Sequence, residues 1–274
     1  MPVRVVTGNL AAGYALSVAG EANRGARGTA CGIYPITPQT EIVESVAQFP
    51  FTKGRVVPAE SEHSALAVSM GAALAGARSF TASSANGLAY MLENIIVAGL
   101  YRLPIILVAV NRTLGPPWNI WADQGDTLML RDFAWLQFYC ETNQEVLDTT
   151  LLAFRLAEDH RILLPALVCM DAFIVSHTQT ETMLPEQADV DRYLPELDLP
   201  HRIRPDKPRT IGGLAWPHES MSMRLDIDAA MDRAPAVYQE CRTAFREIFD
   251  RDPGAVIQPF ETEDADTEIG RAHV

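Results

Sequence analysis

The sequence predicts an α/β protein: a parallel sheet with helices on both faces, followed by an extended arm and one further helix. Three observations carry this. From Gly8 to Asp171, short apolar runs alternate with longer helix-compatible segments, the pattern of strands joined in parallel through helices. Two runs, 105–110 and 166–170, are apolar at every position, as strands covered on both faces must be. After His177 the chain turns to proline and charge, with Pro185, Pro195, Pro200, Pro205 and Pro208.

The elements follow in order. Residues 9–24 read as a helix with Leu10, Tyr14 and Val18 on one face, 30–34 as a strand and 39–48 as a helix. A strand at 55–58 leads into an alanine-rich helix at 62–77. Then come a strand at 79–82, a helix at 88–100 and the most apolar strand at 105–110. A strand at 136–141, a helix at 144–159 and the apolar strand at 166–170 complete a first domain over residues 1–177. Residues 178–260 are expected to pack as arm and helix on a partner or on the chain's own domain. The arm, 178–209, should lie over a surface without building a core. The helix, 225–249, has Ile227, Met231, Ala234, Cys241, Phe245 and Ile248 at helical spacing, with a kink or restart at Pro235. Residues 261–274 read as an acidic, loosely ordered tail.

Composition excludes several function classes. The net charge of −13, from 35 acidic and 22 basic residues, argues against a nucleic-acid partner, which a basic footprint would mark. The longest apolar runs, such as 104–110, fall far short of the ~20 residues a membrane span needs. Residues 1–9 do not read as a secretory signal, and a cytoplasmic location is expected. The four cysteines form no C-x-x-C pair, the usual spacing for iron–sulfur or zinc ligands, and read as small buried hydrophobes in a reducing compartment.

In such sheets ligands gather at the carboxyl ends of the strands, here the turns after Tyr34, Pro58, Ala82 and Val110. Each turn carries a motif. In Tyr34-Pro35-Ile36-Thr37-Pro38-Gln39-Thr40-Glu41, Thr37 is placed as an N-cap with Pro38 at the first helical position, and the helix start offers N–H groups to a carboxylate. In Pro58-Ala59-Glu60-Ser61-Glu62-His63-Ser64-Ala65, two carboxylates and a histidine open a helix of small residues. Acidic residues are ordinary in a first turn, but the small residues suggest close packing of another chain or a cofactor. The hydroxyl-rich turn Thr81-Ala82-Ser83-Ser84-Ala85-Asn86-Gly87-Leu88 either binds an anion or caps the next helix. Fourth, Arg112 leaves the most apolar strand and heads a segment running through Trp118, Trp121 and Asp126. A buried arginine there is costly unless paired, and fork-like recognition of a carboxylate is the usual compensation.

These segments, in this order, resemble the α subunit of the pyruvate/2-oxoacid:ferredoxin (acceptor) oxidoreductase family. The matching strings are YPITPQTEIVE (34–44), ESEHSA (60–65), TASSANGLAYMLE (81–93), NR…NIWADQGD (111–126), RDFAWLQFYCETNQEVLD (131–148), PDKPRTIGGLA (205–215) and TEDAD (262–266). The resemblance implies a thiamine-diphosphate-binding fold, in its pyrimidine-binding form, and oxidative decarboxylation of a 2-oxoacid to acyl-CoA and CO2. The glutamate of the S-E-x-x-A segment, Glu62 rather than Glu60, is then the partner of N1′ of the aminopyrimidine. A carboxyl there favours the tautomer whose 4′-nitrogen removes the C2 proton. Thr37 and Arg112 correspond to the residues that bind the oxoacid carboxylate, and Pro35, Ile36, Ser84 and Asn86 are expected at the cofactor.

The family's Gly-Asp-Gly run with its Mg2+-holding asparagine is missing, since Gly125-Asp126-Thr127 does not reproduce it. The diphosphate and Mg2+ are therefore expected on a partner β subunit, and [4Fe-4S] clusters on γ and ferredoxin-like subunits. Coenzyme A is the expected co-substrate, and ferredoxin or another acceptor takes the electrons. The second domain of about 100 residues that follows in the family's α components does not follow within these 274 residues. A pyruvate-type substrate is one expectation. The stretch Gly115-Pro116-Pro117-Trp118 admits an aromatic or branched oxoacid such as phenylglyoxylate as another. The alternatives are a non-catalytic scaffold subunit and a non-redox thiamine-dependent decarboxylase component.

Overall fold

The computed structural model describes residues 1–257 and 259. In chain order the elements are β1 (Val3–Val6), α1 (Gly8–Glu21), β2 (Thr29–Ile33), α2 (Thr40–Gln48), β3 (Gly54–Pro58), α3 (Glu62–Leu74), β4 (Arg78–Ser83), α4 (Asn86–Tyr90), α5 (Leu92–Leu100), β5 (Ile105–Asn111), α6 (Gly125–Leu128), β6 (Leu136–Cys140), α7 (Asn143–Glu158), β7 (Ala166–Asp171), β8 (Thr180–Met183), α8 (Gln187–Tyr193) and α9 (Pro217–Phe249). Six strands form one parallel sheet in the order β3-β2-β4-β5-β7-β6. The predicted tail and the TEDAD string lie outside the described residues.

Alternation along β5 generates the two covering layers. Ile106, Val108 and Val110 join one core with Ala15 of α1, Leu151 of α7 and Phe245 of α9. Ile105, Leu107 and Ala109 join the other with Leu66 of α3 and Ile95 of α5. All seven residues of β5 are buried, and each large aliphatic side chain so covered contributes about 1.5–3 kcal/mol. The small residues of α3 let it lie directly on β2. A Cβ on Gly32 would stand 2.1 Å from the Ala65 carbonyl oxygen, so no side chain fits between them. Ser69 completes the contact, accepting the Gly32 N–H at 3.1 Å and donating to the Phe80 carbonyl at 2.9 Å.

The chain leaves β2 to the sheet edge as β3 and then crosses back to β4, so direction reverses between β2 and β4. At such a reversal, open sheets bind ligands beyond the carboxyl ends of the strands. The opposite end is locked by a buried ion pair. Arg78, fully buried at the start of β4, donates to both oxygens of Glu158 at 2.7 and 2.6 Å. It also donates to the carbonyls of Ala19 at 2.9 Å and Pro195 at 2.7 Å.

Several elements differ from the sequence expectation. The helix expected over 88–100 is two, α4 and α5, meeting at Met91. The arm does build core: Val190, Tyr193 and Leu194 are buried, and Tyr193 lies edge-on to Phe245 and Phe249. It also supplies β8, which pairs antiparallel with the unpredicted β1. Finally, α9 begins at Pro217 and runs uninterrupted through Pro235. Pro217 suits a first helical position, and the Glu219 carboxylate accepts the Trp216 N–H at 2.7 Å, which explains the early start. All four cysteines are free and buried.

Candidate active site

The two carboxylates that open α3 have different surroundings. Ser61 is the N-cap, its hydroxyl accepting the Ser64 N–H at 3.2 Å. Glu60, before the cap, is exposed and accepts from the Ser64 hydroxyl at 2.6 Å, which holds its carboxyl below the usual range. Glu62, the first helical residue, is only 8% exposed, and its carboxylate has no hydrogen-bond or ion-pair partner among the described residues. It lies against the first turn of α4, where a Cβ on Gly87 would stand 2.8 Å from Glu62 Oε1. A carboxylate only accepts, and a ligand N–H would supply the donor that this one lacks among the described residues.

The turn after β2 corrects one expectation. Thr37 is not an N-cap: Ile36 to Gln39 form a tight turn around a cis Thr37–Pro38 peptide, and α2 starts only at Thr40. Two buried amides shape this turn. Gln39 donates to the Tyr34 carbonyl at 2.7 Å and Asn9 to the Pro38 carbonyl at 2.8 Å. Thr37 and Pro35 are exposed and Ile36 half-buried.

Arg112 reaches this turn from β5. It is 9% exposed, and its Nε donates to the Thr37 carbonyl at 2.9 Å. Its Nη1 stands 3.5 Å from the carbonyls of Thr113 and Asn119. Among the described residues it has no carboxylate partner. The structure thus brings Thr37 and Arg112 together and leaves a largely buried cation facing only carbonyl dipoles. A ligand carboxylate would supply the missing charge.

One buried acid, which the sequence did not single out, ties the segments together. Asp126 is fully buried. It accepts from the Asn111 amide at 2.7 Å, from the Ala85 N–H at 3.0 Å and from the Arg112 N–H at 3.2 Å. Burial pushes its carboxyl up to about 6, against the pull of these hydrogen bonds. Ala85 is held at φ 43° and ψ −115°, a conformation a non-glycine residue keeps only when its surroundings impose it.

Ser84 and Asn86 serve the same framework. The Ser84 hydroxyl donates to the Val110 carbonyl at 2.6 Å. Asn86 clamps Gly115 in both directions, donating to its carbonyl at 3.2 Å and accepting its N–H at 2.9 Å. The loop so fastened presents Trp118 and Trp121 at its exposed tip. Sequence reasoning also missed Gln39, Ser83 and Gly87. The only signal for them was their place in strand-to-helix turns.

The profile of the pyruvate flavodoxin/ferredoxin oxidoreductase family, thiamine-diphosphate-binding part, matches residues 22–243. The chain belongs to this family. Pyruvate synthase subunit PorA of Pyrococcus furiosus is 42% identical over 272 residues, 97% of this chain and 66% of that protein. Ketoisovalerate oxidoreductase subunit VorA of Pyrococcus abyssi is 42% identical over 269 residues, 96% of this chain and 65% of that protein. The chain therefore spans about two thirds of the length of these family members. The two relatives, named for different oxoacids, are equally similar, so overall identity does not select a substrate. Among solved structures, 2-oxoglutarate:ferredoxin oxidoreductase from Magnetococcus marinus, with 2-oxoglutarate, coenzyme A and succinyl-CoA bound, superposes with a TM-score of 0.67 at 23% identity. The match covers 84% of this chain and 45% of that one, and shows that the family fold is kept. No helix of the described residues is long and apolar enough to cross a membrane.

Proposed function

We propose that this chain is the α component of a 2-oxoacid:ferredoxin or other acceptor oxidoreductase, converting a 2-oxoacid and coenzyme A to acyl-CoA and CO2. The observation that carries the reading is Glu62, a residue only 8% exposed at the head of α3, whose carboxylate has no partner among the described residues. When bound, thiamine diphosphate supplies the carbon nucleophile. Glu62 holds a proton at N1′ of the aminopyrimidine. Arg112 and Thr37 orient the oxoacid carboxylate, with Arg112 as fork and countercharge. Pro35 and Ile36 wall the site, while Ser84 and Asn86 fix the turn and loop beside it. Diphosphate and Mg2+ belong to a partner β subunit. Iron–sulfur clusters on γ and ferredoxin-like subunits would supply the electron path to ferredoxin or another acceptor.

Arg112→Ala, assayed in the reconstituted complex with a viologen acceptor, should raise the oxoacid KM at least about tenfold. A hydrogen bond to a charged group contributes about 1.5–3 kcal/mol. kcat should fall less, because the lost contact binds ground state and transition state alike. An unchanged KM removes Arg112 from the substrate site. The same assay over pyruvate, branched and aromatic oxoacids identifies the substrate.

A further inference from the structure

Three hydroxyls, Thr81, Ser83 and Ser84, cluster at the carboxyl end of β4 and in the turn after it, and two have structural partners. Thr81 donates to the Gly32 carbonyl at 2.8 Å and Ser84 to the Val110 carbonyl at 2.6 Å. Ser83, between them, is fully buried, and its hydroxyl has no partner among the described residues. Its backbone is opposite Ala109 of β5, which offers no polar side chain. An unsatisfied buried hydroxyl costs stability, so its retention calls for a use.

The position of Gly87 supplies one. A Cβ on Gly87 would lie 2.4 Å from Ser83 Oγ, 2.8 Å from Glu62 Oε1 and 3.0 Å from Glu62 Cγ. The hydroxyl and the carboxylate therefore border one small space, which exists because residue 87 has no side chain. Ser83 is a buried hydroxyl without a partner, and the Glu62 carboxylate accepts no hydrogen bond among the described residues.

We infer that Ser83 is a positioning residue for Glu62: its hydroxyl donates to Glu62 Oε1 and turns Oε2 toward the N–H of the bound aminopyrimidine, in a seat kept open by Gly87. This rests on the role proposed above for Glu62. Turning the Ser83 hydroxyl toward Glu62 breaks no hydrogen bond, since it has no partner among the described residues. Gly87 contributes by absence. Alanine favours a helix over glycine, so Gly87→Ala should be harmless to α4 itself and should act by displacing both the Ser83 hydroxyl and the Glu62 carboxyl.

The test uses the reconstituted complex with thiamine diphosphate and Mg2+, and reads cofactor Kd, exchange of the cofactor C2 proton by NMR, and Tm. Ser83→Ala should leave the Tm of the apo complex unchanged or higher, because it deletes an unsatisfied group. It should weaken cofactor binding and slow C2-proton exchange, each by about tenfold, the size of one hydrogen bond to a charged group. Gly87→Ala should slow exchange more than Ser83→Ala does. Wild-type Kd and exchange in Ser83→Ala, while Glu62→Gln is impaired, overturns the inference and leaves the role of Glu62 standing. Wild-type exchange in Glu62→Gln as well overturns the reading on which it rests. A lowered Tm in Ser83→Ala with normal exchange in the folded complex makes Ser83 a structural residue and also overturns the inference.

Discussion

Glu62→Gln should abolish turnover of the reconstituted complex and slow exchange of the cofactor C2 proton by a factor of about 10²–10⁴, the usual contribution of a positioned acid–base group. Glutamine keeps the size of the side chain and its packing against Gly87, so the fold should survive. It cannot hold or share the proton. Its amide would also present a donor where a carboxylate oxygen accepted, so cofactor affinity should fall as well. Glu60→Gln provides the contrast. That side chain is exposed and hydrogen-bonded to Ser64, and its loss should leave exchange within about twofold of wild type, as for surface positions generally. Normal exchange in Glu62→Gln would remove the residue from the chemistry.

Arg78→Ala should cost about 3–5 kcal/mol of folding stability, the range found when one member of a buried ion pair is removed. The side chain of Arg78 is fully buried and that of Glu158 8% exposed, so Glu158 would be left without its countercharge. The carbonyls of Ala19 and Pro195 would lose their donor too, loosening α1 and the arm together. Against a typical total of about 5–15 kcal/mol, such a loss brings the chain close to unfolding. Arg78→Met combined with Glu158→Leu should recover most of it, since a buried pair is often matched by apolar residues of similar volume. Urea unfolding of the wild type and the two variants measures this. A loss below about 1 kcal/mol in Arg78→Ala would mean that the pair is solvated as surface pairs are.

The parts of the fold that were legible are those where one local rule acts alone. An apolar run such as 105–110 can only be a doubly covered strand, and β5 became one. Arg112 drew notice from its place after the most apolar strand, whereas Glu62 was distinguished from Glu60 only through the family resemblance. Thr37 illustrates the limit. Its Thr-Pro dipeptide reads as a helix start, yet the buried amides of Gln39 and Asn9 hold the segment as a separate turn, and the Asn9 contact comes from a residue distant in sequence. The arm failed for a related reason. Val190, Tyr193 and Leu194 do follow helical spacing, but the prolines and charges around them mask a short helix whose stability comes from Phe245 and Phe249. Asp126 and Ser83 lie inside motifs the sequence offered but were not singled out, because what distinguishes them is burial and the partners that each has or lacks among the described residues.

Partition of the cofactor tests most directly whether this chain supplies the pyrimidine half of a shared site. Thiamine diphosphate with Mg2+ should be titrated calorimetrically into this chain alone, into its partner β subunit alone, and into the complex of the two. Tight, stoichiometric binding is expected only in the complex, and should weaken there when Glu62 is changed to Gln. Full-affinity binding by either chain alone, or binding by the complex that ignores Glu62, would contradict a shared site built on this residue.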